Sequence, residues 1–470
     1  MINNTGKYRN LIKDTIIFGI GSLGSKLILF IMVPLYTNYM TEDEYGIAEL
    51  VFTVAQLLCP FLSVVIFDAV VRFGLSKNEK KENVLLIGLI IAMLASCIML
   101  LIAPLVAFYK PISDWNWYLC FYVVFNILNS VELCYIKAKE MNKLYALLSI
   151  IQTFSMASLN VVFLIVLKQG IRGYLIAYIV ANLIVDIIAF IAAKIPYDLK
   201  QAYFDKRLMI EMVKYSSPLI LNNVSWWVIH SSDKVMVEAI ISSTALGLYT
   251  VAAKIPSLIN VIVTVFQQAW GISAVKEVEG TNDKSFYSKV FNYLMLLTTG
   301  ICLILVSIMK IFMKLYVGKN FYDAWVYVPL LLNSAVYASM AGFFGSMYGA
   351  LKKSVNNMIS TGIAAITNII INLVLIPFIG IWGAVIGTLL SYIVLGFYRM
   401  YDVRKIETFF VNIEKLIINL AIMTVQAILV SIDFNIYVVS LVAILAFALL
   451  NKREILSLIK MRRGIKNEKN

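Results

Sequence analysis

The sequence predicts an all-α integral membrane protein of about fourteen transmembrane helices, two six-helix bundles related by a parallel repeat plus two C-terminal helices. Three observations predict it. Hydrophobic residues make up 61% of the 470 positions, charged residues only 14%, and the mean hydropathy is +0.85. Apolar runs of about 20 residues recur along the chain, each long enough to cross about 30 Å of hydrocarbon as a helix. The runs are continuously apolar, whereas barrel strands would alternate. Backbone inside a bilayer must satisfy its own hydrogen bonds, so runs of this kind are read as helices.

The spans follow in order. Six lie near 14–37, 45–70, 84–107, 116–136, 144–167 and 172–192. Six more lie near 212–232, 246–273, 290–315, 325–348, 355–377 and 381–400, and the last two near 412–431 and 434–450. The polar, basic start "MINNTGKYRNLIKD" leads into a full-length span, so the first helix is expected to stay rather than be cleaved. Basic residues test the topology. With the N-terminus inside, 31 of the 40 lysines and arginines fall in inner segments and 7 in outer loops, while Lys26 and Lys254 lie within spans. That bias predicts cytoplasmic termini and accounts for the net charge of +13 without nucleic acid.

Two pairs of segments suggest duplication. "GIRG" (170–173) and "GIWG" (380–383) open spans six and twelve. "TEDEYGIAEL" (41–50) and "STALGLYTVA" (243–252) open spans two and eight, with Gly46 matching Gly247. Both halves start inside and have an even helix number, so the repeat is parallel. The expected division is 1–195 and 196–402 for the two bundles, joined by a basic linker at 193–211, with 403–470 carrying two additional helices and a basic tail.

Charges inside the spans are the candidate functional residues. Lys26 sits roughly 18 Å into its helix, counted at 1.5 Å per residue. Ser22, Gly19 and Thr15 share its face, so it is read as facing protein or water. A structural pair with an acid on another helix is the plainer alternative. Lys254 is followed by Pro256 and flanked by Thr250 and Ser257, with Gln268 further on; a broken, cavity-lining helix is expected. A kinked structural helix would look similar. In "NNVSWWVIHSSDKVMVE", Asn223, the tryptophans, His230, Asp233 and Lys234 follow helical spacing, and His230, Asp233 and Lys234 are candidate substrate contacts. A solvated or self-neutralised cluster would show the same residues, and the tryptophans would also suit an interfacial belt. Asp68 and Arg72, four apart, can pair with each other, or Arg72 can present its fork to phosphate. Glu49, Glu132, Asp186 and Asp68 are the candidates for a coupling Na+ or H+. No other cofactor is implied. The single histidine excludes a multi-histidine metal site, and the five cysteines lie within spans in no metal-like spacing. Both deep charges are positive, which favours an anionic passenger over a cationic drug.

The chain resembles the bacterial oligosaccharide flippases, the Wzx-type polysaccharide biosynthesis proteins of the multidrug/oligosaccharidyl-lipid/polysaccharide exporter superfamily. The resemblance rests on the helix plan and on "GSLGSKLILFIMVPLYTNYMTEDEYGIAEL" (21–50), "AVVRFG" (69–74), "SSDKVMV" (231–237) and "ALGLYTVAAKI" (245–255). "AWGIS" (269–273) resembles a family segment that often carries a proline, which this chain lacks there. The resemblance implies no covalent chemistry. It implies transfer of an undecaprenyl-diphosphate-linked oligosaccharide from the inner to the outer leaflet of the bacterial cytoplasmic membrane, by alternating access through a cationic cavity. Lys26, Arg72, Asp233 and Lys254 would contact the substrate. A monomer working beside a polysaccharide polymerase and other assembly proteins is expected. A peptidoglycan-precursor flippase and an ion-coupled multidrug exporter of the same superfamily are the alternatives. A membrane polymerase or glycosyltransferase fits poorly, because the outer loops are short.

Overall fold

The computed structural model describes residues 24, 26–76, 78–279, 284–407 and 410–457. Among them every element is helical. Among the described residues ten helices are long and apolar enough to cross a membrane, or eleven when one bent pair is taken as a single span, and two shorter apolar helices accompany them. The protein is therefore a multi-pass, all-α membrane protein. The chain divides by packing into two compact units, Met1–Gly247 and Leu248–Asn470.

In the first unit, α1 (Lys26–Tyr39) is followed by α2 (Glu42–Leu62). Thr41 caps α2: its hydroxyl accepts from Glu44 N at 3.2 Å, and the Glu44 carboxylate accepts from Thr41 N at 3.0 Å. Glu42, Asp43 and Glu44 then place negative charge at the helix's positive end. Span two is expected as one helix over 45–70, but it breaks. Val64 and Val65 take φ of +53° and +52°, and α3 (Ile66–Gly74) starts anew. Pro60 lies one turn earlier, and a left-handed conformation is costly for a β-branched residue, so this break is a strained joint.

The unit continues through α4 (Lys81–Val106), the short α5 (Lys110–Ser113), α6 (Asn116–Ala138), α7 (Asn142–Val161, extended by a π-turn), α8 (Gly170–Ala192) and α9 (Ile195–Gln201). α6 forms the middle of this layer, packed against α3, α4 and α8. α10 (Lys206–Ile240) is longer than the expected 212–232, because Asp205 caps it through Arg207 N and Leu208 N well before the apolar run begins. It is also too polar to rank among the ten apolar spans, and it packs on α2 and α3.

α11 (Ser243–Lys254) opens at the end of the first unit. Gly46 and Gly247, matched in the sequence, meet there. A Cβ on Gly46 would lie 1.9 Å from the Ser243 carbonyl oxygen, and one on Gly247 would lie 2.1 Å from that of Glu42. Each glycine thus faces the residue four positions before the other, and each close approach leaves no room for a side chain.

The second unit holds α12 (Ser257–Glu279), α13 (Lys284–Tyr316), a 3-10 turn at Lys319–Tyr327, and α14 (Val328–Ala350). It ends with α15 (Ser354–Ile379), α16 (Ile381–Ile406), α17 (Ile413–Ser431) and α18 (Ile436–Leu450). The segment Lys319–Ala350 is the most deeply buried of the ten spans and packs on α12, α13, α16 and α17. Gln426 ties α17 to two neighbours, donating to Leu303 O at 3.1 Å and Ser440 Oγ at 3.2 Å.

Candidate functional site

The centre of the first unit is an ion pair. α2 turns the buried Glu49 inward on the face that also carries Tyr45 and Phe52. α10 brings Lys234 to it, Nζ to Oε2 at 3.1 Å, with the side chains 18% and 7% exposed. The other Glu49 oxygen accepts from Tyr174 Oη at 3.4 Å, and Tyr174 lies 3.4 Å from the Tyr178 hydroxyl. Tyr36, Tyr45, Phe52 and Tyr122 close rings around these tyrosines. Trp227 Nε1 donates to Thr53 O at 2.9 Å, a second α10–α2 tie. Tyr109 donates to Glu238 near the far end of α10.

Lys234, read from sequence as a substrate contact, and Glu49, read as a coupling-ion candidate, are thus partners. Asp233 is buried, and its Oδ1 accepts from Lys234 N at 2.9 Å. His230 stacks on Trp226 with centroids 5.5 Å apart. Asp68 and Arg72 both lie on α3, yet among the described residues no ion pair forms between them; Lys137 on α6 is the cation acting on Asp68. The four-residue spacing permits a pair, but the Arg72 side chain is exposed.

A second acidic feature was not visible as a unit in the sequence. Glu132 on α6 and Asp186 on α8 are both buried, and Asn129, one turn before Glu132, donates to Asp186 Oδ1 at 2.8 Å. Gln152 on α7 joins them, donating to Asn182 Oδ1 at 2.6 Å. Two of the separately chosen acids therefore belong to one cluster.

The deep lysines are placed as follows. Lys26 lies in the first turn of α1, in the first unit, and is exposed; Ser22, Gly19 and Thr15 lie outside the described residues. Lys254, in the second unit, is the last residue of α11. The helix bends by 44° between Ser243–Lys254 and Ser257–Gln267, as Pro256 leads one to expect. Ser257 Oγ donates to the Lys254 carbonyl at 2.5 Å and occupies an acceptor at the break. Thr250, expected on the lysine's face, is fully buried.

Sequence reasoning missed Arg399, taken as one of the inner-loop charges. It is 2% exposed on α16 and holds neutral groups: Ser360 Oγ at 3.0 Å, Ala341 O at 2.9 Å, Asn357 Oδ1 at 2.6 Å and Thr361 Oγ1 at 2.9 Å. Gly345 makes room for it, since a Cβ there would lie 2.7 Å from Nη1. The cue was the run of Asn357, Ser360 and Thr361 on one face of α15, a polar stripe in an apolar span.

Among the described residues no cluster of three or more His, Cys, Asp or Glu could hold a metal ion. An apolar groove of about 500 Å³ runs between α17 and α18, lined by Ile417, Ile418, Val425, Val438 and Val442 among others.

This arrangement of broken and continuous membrane helices recurs in solved structures. A solved structure entitled lipid II flippase MurJ, inward closed conformation, superposes with a TM-score of 0.69 at 13% identity, over 94% of this chain and 100% of that one. An inward-facing multidrug resistance MATE family transporter of the MOP superfamily gives 0.59 at 14% identity, over 82% of this chain and 98% of that one. These likenesses establish the fold. The profile of the polysaccharide biosynthesis protein family matches residues 11–272, more than half of the chain, and the chain belongs to that family. An uncharacterized membrane protein of Haemophilus influenzae is 20% identical over 330 residues, covering 69% of this chain and 80% of its own length.

Proposed function

We propose that the protein is a flippase that carries an undecaprenyl-diphosphate-linked oligosaccharide from the inner to the outer leaflet of a bacterial cytoplasmic membrane, with both termini cytoplasmic. One observation carries the reading. Lys254 ends α11 at a 44° break, and α12 starts immediately beyond it at Ser257. The ammonium and the positive end of α12 favour an anion at the same joint. Interrupted helices in transporters are where substrates bind. A lipid-linked sugar always presents a diphosphate, whereas the sugar itself varies, so a fixed cationic joint suits this substrate class.

Membership of the polysaccharide biosynthesis family supports the same reading. The groove between α17 and α18 has the apolar walls an isoprenoid chain needs. Lys26 and Arg72 are assigned as further contacts to the phosphates, and Asp233 to the sugar side. No covalent step is involved. The similarity to MurJ favours a second substrate of the same chemistry, a peptidoglycan precursor.

The test is export of surface polysaccharide in a strain lacking its own flippase. Lys254→Ala and Lys26→Ala are expected to abolish export with normal amounts of protein in the membrane, and Lys26→Glu to be worse than Lys26→Ala. Normal export by both alanine variants would refute the cationic joint. Rescue of a strain lacking the peptidoglycan flippase, without rescue of polysaccharide export, would transfer the assignment to the second substrate.

A further inference from the structure

We propose that Glu132 and Asp186 form one buried proton-binding site, in which a single proton taken from the aqueous phase converts one carboxylate of the pair into a carboxylic acid. The argument starts from burial. Glu132 is 5% and Asp186 8% exposed, so water solvates neither. Asn129 donates to Asp186 Oδ1 at 2.8 Å, and Glu132 follows Asn129 by one helical turn, on the same face of α6. The two carboxylates act on each other electrostatically. Two adjacent, desolvated negative charges are not tolerated without a positive one between or beside them.

Two cations of this unit are paired with other acids. Lys234 is paired with Glu49 on α2 at 3.1 Å. Lys139 is paired at 2.7 Å with Asp198 on α9, to which Tyr135 also donates. On α3, Lys137 of α6 is the cation that acts on Asp68, and Arg72, further along the same helix, is exposed. From α4, the ionisable groups are Lys81 and Glu82 at its start, and from α7 Lys143 and Tyr145 at its start. Tyr174 and Tyr178 of α8 face Glu49. Asp186 is the charge that bears on Glu132.

The hydrogen bonds distinguish a proton from a metal cation. Glu132 Oε2, Asp186 Oδ2 and Asn182 Nδ2 are buried without a partner. The amide oxygens of Asn129 and Asn182 already accept from Gln152, at 3.4 Å and 2.6 Å. A sodium ion would need several oxygens drawn around it at once, and each of those amide oxygens already accepts a hydrogen bond. A proton needs one oxygen, and it turns one carboxylate acceptor into a donor to the other. Tyr174, Tyr178, Asn182 and Asp186 recur at four-residue steps along α8, so the site lies at one end of a polar stripe whose other end is Glu49.

Infrared spectroscopy of the purified protein in lipid nanodiscs reads the site directly and requires no substrate. A protonated-carboxyl C=O band that shifts in D2O is expected at neutral pH. It should be lost in Glu132→Gln/Asp186→Asn and kept in Glu49→Gln. A band unchanged in the double variant overturns the assignment. Alkaline titration should remove the band in the wild type, with one more proton released per chain to a pH-indicator dye than from the double variant. Absence of the band at neutral pH overturns the proposal even if the double variant does not fold. Loss of the band on adding sodium chloride, but not choline chloride, assigns the site to sodium and also overturns it. Because proton binding is measured without transport, failure here and failure of the flippase reading are separable.

Discussion

Replacing Lys234 by methionine keeps most of the side chain's bulk and removes its charge. The Glu49 carboxylate, 7% exposed, then loses a cation 3.1 Å away. At that separation the direct attraction is roughly 5 kcal/mol for an effective dielectric near 20. Part of it is offset in the wild type by the desolvation of both groups. Removing only one partner leaves the desolvation of the other uncompensated, so Lys234→Met is expected to destabilise by about 3–5 kcal/mol. Tyr174 also donates to Glu49, but at 3.4 Å it does not replace the lysine. Lys234→Met/Glu49→Gln removes both charges and is expected to recover most of the loss, because an uncharged amide can share the Tyr174 hydroxyl. The assay is a double-mutant cycle by denaturation in mixed micelles, followed by tryptophan fluorescence. A single variant as stable as the wild type would refute the reasoning. So would a double variant no better than the single one.

Three further outcomes follow from the geometry. Arg399→Leu strands the polar groups of Asn357, Ser360 and Thr361 and should cost about 3 kcal/mol or more, with Arg399→Lys intermediate because an ammonium cannot reproduce the fork; thermal unfolding in detergent measures both. Gly46→Ala puts a methyl 1.9 Å from the Ser243 carbonyl oxygen, so α2 and α11 must separate, and folded yield should fall well below that of Gly24→Ala, where a Cβ meets nothing within 4 Å. At the C-terminal end, burial pushes the Glu454 carboxyl up, but the hydrogen bond and charge of Lys415, 2.6 Å away, outweigh it and hold it below the usual range. The pair's contribution is therefore present above the ordinary glutamate value of about 4.3 and is lost as pH falls through the lowered one. Since Glu454 is 37% exposed, the effect is small, and Glu454→Gln should flatten the acid limb of the stability profile only slightly.

The sequence by itself determined the all-α membrane class, the order of the apolar segments and the joint at Pro256. Each of these depends on neighbours along the chain: a run of apolar side chains long enough for a bilayer, or a ring that removes an N–H. It also picked out Glu49, Lys234, Glu132 and Asp186 one at a time, because a charge in an apolar span stands out. Only the tertiary structure decided their partners. Glu49 and Lys234 are 185 positions apart, and Asn129 and Asp186 are 57 apart. Whether such groups meet depends on the rotation of each helix about its axis and on which helices are neighbours, neither of which hydropathy encodes. The same reason explains Arg399, whose ligands come from α14 and α15, and the break at Val64 and Val65. Two β-branched residues give no local signal of a left-handed turn, and their φ angles of +53° and +52° appear only in the folded chain.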